Sequence, residues 1–395
     1  MNLGQLAELC DARLIRGNPD APVERISTDT RSLTPRSCFV ALQGPRFDGH
    51  EFVSDAARSG ASAAVVSDPT RAINSPSALA LLQVQDTLTA LHKLATNYRR
   101  LLPPTTRLIG ISGACGKTTT KEMIAAVLGE RFHIAKTPAN QNNHIGVPLS
   151  LLALEATHDF GVIELGSNHP GEMRVLAELV RPEIAVVTNI GLAHVEFLGD
   201  EAGVAQEEGT PLEYLPRNGD GLAVLNADDK WCQELRSRTR ATVITVGMDH
   251  FADIRATDIR LNGDVKFRLH IARKREDVVV RLKTVGRHQI YNALQAAAVG
   301  YFGEDADLYW VAVMLLALKG LAMPRLLERM MRRFMTHREV RPFVNTASSL
   351  VISGLLILLA YGVARPIQEL AAAPTRGGVP LAIGLIFVSL FVIVS

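Results

Sequence analysis

At 395 residues the chain is long enough for about two or three domains, each with its own core. Lys and Arg total 42 against 40 Asp and Glu, a formal charge of +2, so bulk charge gives no case for a nucleic-acid partner. The four cysteines form no C-x-x-C pair, and the opening MNLGQLAELCDARLIRG lacks a long apolar core, which argues against a disulfide scaffold and an export signal.

Residues 1–84 read as a first unit. ISTDTRSLTPRSCFVAL alternates short β-like pieces with turns, and ASAAVVSD supplies a strand near its end. DTLTALHKLATNYRRL, residues 86–101, places apolar side chains at helical spacing and is stopped by LPPTT, so residues 85–105 read as a linker helix. From 106 to 303 strands alternate with helices. RLIGIS, FGVIEL, EIAVVTNI, GLAVLN and ATVITVG are short, β-branched and unalternating, as strands buried on both faces are. Helical segments between them predict a doubly wound, mostly parallel sheet. Val265, Phe267, Leu269 and Ile271, then Val278, Val280 and Leu282, recur at period two and predict two antiparallel strands added at one side. HQIYNALQAAAVGYF returns to helix.

The stretch with the most chemistry is GISGACGKTTTKEM, residues 110–123. A strand, a glycine-rich turn and a helix start aim backbone N–H groups and the positive end of a helix dipole at one point. Gly113 and Gly116 let the backbone approach a phosphate, Lys117 neutralises it, and the Thr118 hydroxyl is suited to Mg²⁺. The full Walker spacing would need glycine at 111, where Ile111 stands, so this is a shortened variant. Ligands for a metal belong at the carboxyl ends of neighbouring strands. Glu164 follows three apolar strand residues, where a carboxylate is costly unless it meets a cation. His194 lies just past the next strand; a lone loop histidine is as readily a plain surface residue.

In order along the chain stand DTRSLTPRSCFVAL, RFDGHEF, GKTTTKEMIAAVL, KTPANQNNHIGVPLSLL, VIELGSNHPGE, NIGLAHVEFLG, AVLNADD and GRHQIYNALQAAA. Over residues 1–302 this series resembles the Mur ligase family, and NNHIGVP with ELGSNHPGE resembles its D-alanyl-D-alanine-adding branch. The resemblance implies an ATP-dependent amide ligase of peptidoglycan-precursor synthesis, acting on UDP-N-acetylmuramoyl-tripeptide and D-alanyl-D-alanine through an acyl phosphate. It implies a uridine-nucleotide domain at 1–84, an ATP domain at 106–303 and a cytoplasmic location for both.

Carried over position by position, Gly113, Ala114, Cys115, Gly116, Lys117, Thr118 and Thr119 would hold the phosphates. Thr118, Glu164 and His194 would hold Mg²⁺, with Lys117, Glu164, His194 and Glu208 in the catalytic set. Asn292 matches the adenine-contacting position, with His288 beside it. Ser27, Asp29 and Arg31 match the uridine side, and Asn142 with Asn143 the loop near the acyl substrate.

The pattern departs in places. Cys115 stands where the family usually has Asn or Ser, and Gln289 where its H-N-x-x-N motif has the first Asn. Glu208 occupies the lysine of the family's Ala-Lys-Gly-Glu run, whose carbamoylated side chain is a Mg²⁺-binding carboxylate; a glutamate brings its own carboxylate on a shorter arm. The D-Y-N-A-N-P-like run of the family's third domain does not follow Phe302.

Residues 307–395 instead resemble a stretch of a small membrane protein of hydrogenase-4-type complexes. The uncharged apolar runs 347–364 and 378–395 approach the ~20 residues that span a bilayer. They predict a helical, transmembrane segment at 304–395 that tethers the chain to the inner membrane. A second reading is therefore a nucleotide-binding remnant without turnover, joined to a fragment of a hydrogenase membrane component.

Overall fold

The computed structural model describes residues 1–302 apart from 45–46, 73–74, 218, 263 and 273–276. The expected segment 304–395 lies outside the described residues. The inner-membrane tether is corrected: among the described residues no helix is long and apolar enough to cross a membrane.

The N-terminal sheet is built from β1 (Arg13–Arg16), β2 (Arg25–Ser27), β3 (Ser37–Val40), β6 (Ala61–Val66) and β7 (Ala80–Gln83), in the order β1-β7-β6-β3-β2. Only β1 against β7 is antiparallel. Between β3 and β6 the chain makes a small ribbon of β4 (Gln43–Gly44) and β5 (Phe47–Asp48). Helix α1 (Leu3–Cys10) precedes β1, and α2 (Val53–Arg58) lies between β5 and β6. Helix α3 (Thr87–Leu101) begins where the Asp86 side chain accepts the Thr89 N–H at 2.6 Å. It ends at Leu102, whose extended backbone is what a following proline demands.

The central sheet has nine strands: β8 (Arg107–Ser112), β9 (Ile134–Lys136), β10 (Phe160–Glu164), β11 (Ile184–Val187), β12 (Leu222–Asn226), β13 (Thr242–Gly247), β14 (Ile254–Arg260), β15 (Val265–Ile271) and β16 (Val278–Leu282). Their order is β16-β15-β14-β13-β12-β11-β8-β10-β9, parallel from β9 to β14 and antiparallel at β14/β15 and β15/β16. The expected doubly wound sheet is present, with β9 and β14 as additions. Helices α4 (Lys117–Leu128), α5 (Gly146–Leu152), α6 (Glu172–Val180), α7 (Val195–Leu198), α8 (Glu201–Glu208), α9 (Cys232–Ser237) and α10 (His288–Phe302) connect the strands or follow them.

Both faces are covered, which is why the strands carry apolar residues without alternation. Ile109, Ile111, Val162, Val186 and Val224 face one core with Ile124 of α4 and Leu294 of α10. Leu108 and Ile163 face a second core with Leu151 of α5 and Leu176 of α6. Ala185, Val187 and Leu225 face a third with Val204 of α8 and Leu235 of α9. Strand β8 is flanked by β10 on one side and β11 on the other, so the connections diverge at its carboxyl end. Open α/β sheets place ligands at such a divergence.

Candidate active site

The loop leaving β8 lies at that divergence. Gly113 has φ +120° and Gly116 has φ +84°, and the turn feeds directly into α4 at Lys117. Glycine at 113 is a packing requirement as well: a Cβ there would lie 2.8 Å from Thr188 N and 2.9 Å from Asn189 O. The segment after β11 braces the loop. Ala114 N–H donates to Asn189 O at 2.9 Å, Cys115 N–H to Asn189 Oδ1 at 3.0 Å, and Thr188 Oγ1 to Cys115 O at 2.6 Å. The first-turn N–H groups of α4, which have no intrahelical partner, and the positive end of its dipole are then left for an anion.

Beside α4 stands Glu164, 2% exposed at the end of β10. Its Oε1 accepts from Thr118 Oγ1 at 3.0 Å and from Asn142 Nδ2 at 2.9 Å. Its Oε2 receives no well-directed hydrogen bond and faces the Lys121 ammonium at 3.2 Å. Lys121 is fully buried and also donates to Ala139 O at 2.7 Å. Nothing in the sequence reading assigned Lys121. The available signal was its place four residues after Lys117 on one helix, which puts both lysines on the side that meets the strand ends.

Below the loop, Glu208 is 1% exposed. Its Oε2 accepts the Gly113 N–H at 2.7 Å, and its backbone carbonyl accepts Ser112 Oγ at 2.7 Å. Burial pushes the Glu208 carboxyl upward, against the pull of Lys117 and the Gly113 amide. Lys117 Nζ donates to Gly113 O and lies 4.0 Å from Glu208 Oε1. The neighbouring Glu207, also unassigned from sequence, accepts from Ser167 Oγ at 2.7 Å, Gly171 N at 2.9 Å and Met173 N at 2.7 Å. It thereby clamps the entry to α6. His194 is exposed, in the left-handed region at φ +54° where α7 begins, and within electrostatic reach of Glu208.

Helix α10 closes the other side. Asn292, 4% exposed, accepts Thr120 Oγ1 at 3.2 Å, and a Cβ on Gly116 would come within 2.7 Å of its Oδ1. Gln289 joins Asn292 to the exposed His288, with contacts of 3.1 Å to each. Gln295 accepts from Thr120 Oγ1 at 3.3 Å and donates to Thr188 O at 2.9 Å, stitching α10 to α4 and to the end of β11. Nearby, Asp228 collects the N–H groups of Met248, Asp249 and His250 and the Tyr291 hydroxyl at 2.8 Å. Burial alone would raise its pKa, but these donors outweigh it and hold the carboxyl at about 2. Burial, reinforced by that carboxylate, drives the Tyr291 hydroxyl up.

On the N-terminal sheet, Asp29 accepts from Arg31 N at 2.9 Å and from Arg31 Nη2 at 2.7 Å. The Arg31 guanidinium and amide hold the Asp29 carboxyl at about 2. Ser27 Oγ is within 3.1 Å of Asp29 O, so all three expected residues share one turn. Asn143 Oδ1 accepts from Gly146 N at 2.9 Å and turns the chain into α5.

Among the described residues no three His, Cys, Asp or Glu side chains sit together as a ready metal cage. Glu164 Oε1 and the Thr118 hydroxyl, 3.0 Å apart, nevertheless set a carboxylate and a hydroxyl oxygen side by side, which fits Mg²⁺, an ion that keeps waters and phosphate oxygens in much of its shell.

A strand, a glycine loop and a helix start at the diverging carboxyl edge of a parallel sheet is the architecture of the P-loop nucleotide-binding proteins. Residues 111–300 match the Mur ligase middle domain, and residues 22–99 match the Mur ligase family catalytic domain. The UDP-N-acetylmuramoyl-tripeptide--D-alanyl-D-alanine ligase of Escherichia coli K12 is 39% identical over 304 residues, 76% of this chain and 64% of that one. The Bacillus subtilis enzyme of the same name is 38% identical over 72% of this chain and 60% of its own. A crystal structure of MurF from Acinetobacter baumannii superposes with a TM-score of 0.70 at 30% identity, covering 79% of this chain and 67% of that one. MurF from Thermotoga maritima in complex with ADP superposes at 0.63 and 27% identity, covering 75% and 66%. The chain belongs to the Mur ligase family. It spans a little under two thirds of the E. coli and B. subtilis relatives.

Proposed function

We propose that the chain is an ATP-dependent amide ligase that joins D-alanyl-D-alanine to UDP-N-acetylmuramoyl-tripeptide. The observation that carries this reading is the shared acceptor at Glu164: Thr118 of the phosphate loop and Asn142 of the following loop donate to the same oxygen, at 3.0 and 2.9 Å. The activity for which the E. coli and B. subtilis relatives are named supports it.

In this reading residues 1–84, through Ser27, Asp29 and Arg31, hold the uridine nucleotide, and residues from 106 onward hold ATP. The first-turn amides of α4 receive the phosphates, and Asn292 and His288 lie toward the adenine. A carboxylate oxygen of the tripeptide attacks the γ-phosphorus, the bond to the ADP oxygen breaks, and an acyl phosphate forms. The dipeptide amine then attacks the acyl carbon, inorganic phosphate leaves with its bonding pair, and the amine gives up a proton as the amide forms. Lys117 releases Gly113 O and sets its ammonium against the transferring phosphoryl group. Thr118, Glu164 and His194 would hold Mg²⁺, which would neutralise negative charge on the phosphates during transfer. Glu208 keeps the loop and Lys117 in register from below.

Titration of MgADP into the wild-type chain and into Lys117→Ala tests the site. Wild-type binding, with at least a tenfold loss in the variant, is the expected result. Unchanged affinity removes the phosphate-loop assignment. Release of ADP from ATP that requires both the tripeptide and the dipeptide tests the ligation step itself.

A further inference from the structure

Lys121 is fully buried, and an interior ammonium is costly unless its partners hold it. Besides Glu122 of its own helix, 3.8 Å away, its partners come from two elements that approach α4 separately: Glu164 at the end of β10, at 3.2 Å, and Ala139 O in the loop after β9, at 2.7 Å. Strand β9 is three residues long, and Ala139 sits at φ +45°, where a residue with a Cβ rarely stays unless held. Apart from turns within the loop and the Asn143 contacts that start α5, its other ties lead to Glu164 or the chain around it. Asn142 Nδ2 donates to Glu164 Oε1, Glu164 N–H donates to Thr137 Oγ1 at 3.0 Å, and Gly166 N–H donates to Asn142 O at 2.8 Å.

We infer that Lys121 is a positioning residue that fastens the 137–143 loop to the phosphate-loop helix through Glu164, so that nucleotide and acyl substrate bind cooperatively. This rests on the ligase reading above and adds the route by which its two half-sites communicate. The physical basis is competition for one oxygen. Thr118 and Asn142 divide Glu164 Oε1 between them, and Lys121 fixes where that carboxylate lies. A nucleotide drawing on Thr118 changes what the carboxylate offers Asn142, and the 137–143 loop follows. The coupling is reciprocal, so the acyl substrate must in turn tighten nucleotide binding.

The test measures the dissociation constant of UDP-N-acetylmuramoyl-tripeptide with and without saturating MgADP, in wild type, Lys121→Met and Asn142→Ala. The wild-type ratio should be about fivefold or more, the lower end of ordinary coupling. Both variants should bring it close to one, whatever they do to either affinity alone. A role confined to holding the fold would lower the melting temperature and leave the ratio intact. If Lys121→Met does not fold, Asn142→Ala and hydrogen exchange on the wild-type chain decide. MgADP should raise protection of the 137–143 amides. A ratio of one in wild type, a ratio that survives in the folded variants, or unchanged protection with MgADP bound overturns the inference and leaves the ligase reading standing. Failure of the wild-type chain to bind MgADP at all overturns the ligase reading, and this inference falls with it.

Discussion

Glu208 Oε2 accepts the N–H of Gly113 at 2.7 Å, so a buried carboxylate holds the phosphate loop from beneath. The same carboxylate faces Lys117, and any phosphate arriving above must compete with it for that ammonium. Glu208→Gln keeps an acceptor for Gly113 and removes the charge. Affinity for ADP without Mg²⁺ should rise about fivefold, roughly 1 kcal/mol. Calorimetric titration without divalent cation measures this; weaker binding would mean that Glu208 supports the nucleotide rather than restraining Lys117.

Gly113→Ala and Gly171→Ala make a matched pair. Both positions have positive φ, +120° and +85°, but a Cβ at 113 would overlap the Thr188 amide and hydroxyl, whereas a Cβ at 171 meets nothing within 4 Å. The second substitution should cost about 1 kcal/mol from backbone strain alone. The first should cost about 3 kcal/mol or more and abolish nucleotide binding, because strain and overlap add. Equal urea midpoints for the two variants would contradict this.

Glu207→Ala leaves two backbone donors, Gly171 N and Met173 N, without their acceptor, while Ser167 Oγ keeps His169 O at 3.0 Å. Unfolding by urea should show a loss of about 2–4 kcal/mol, at roughly 1–2 kcal/mol for each stranded amide. Proteolysis in the native state should concentrate at the 167–173 segment. A loss below about 0.5 kcal/mol would mean that water replaces the carboxylate at no cost.

Asp228 sets part of the acid limit. Its carboxyl is held at about 2 rather than 3.8, so the unfolded chain binds the proton more readily. The stabilisation is present above about pH 4 and is lost as pH falls toward 2. After allowance for solvent screening it amounts to about 1–2 kcal/mol. The stability gap between wild type and Asp228→Asn should therefore narrow between pH 4 and pH 2. A gap constant over that interval would show that the carboxylate charge contributes nothing there.

Local signals were the legible ones. β8, β10, β11 and β12 could be read because helices cover both faces and leave near-continuous apolar runs. The phosphate loop could be read because its strand, two glycines and lysine are adjacent in sequence. β14 was missed because IRATDIR mixes Asp, Arg and Thr into an alternating strand that resembles a polar connection. Lys121 and Glu207 were missed because a helix position says which face a side chain takes, and says nothing of which distant donor or acceptor waits there. The 137–143 loop shows the same limit: Asn142 and Asn143 stand side by side, yet one reaches Glu164 and the other turns the chain into α5.

The Glu208 contacts also have a consequence for synthesis of the chain. Ser112 and Gly113 find their partner 96 and 95 residues further on, and Cys115 is closed by Thr188, 73 residues downstream. At ribosomal rates of roughly 5–20 residues per second, the glycine loop waits on the order of ten seconds for its floor to be made. Through the first part of that interval β8 has neither flanking strand, since β10 and β11 both come later, and its apolar faces are bare. The nucleotide cradle is thus completed well after its own strand and loop are made, and the nascent chain is most open to aggregation, and to chaperones, while residues 107 to 208 are emerging.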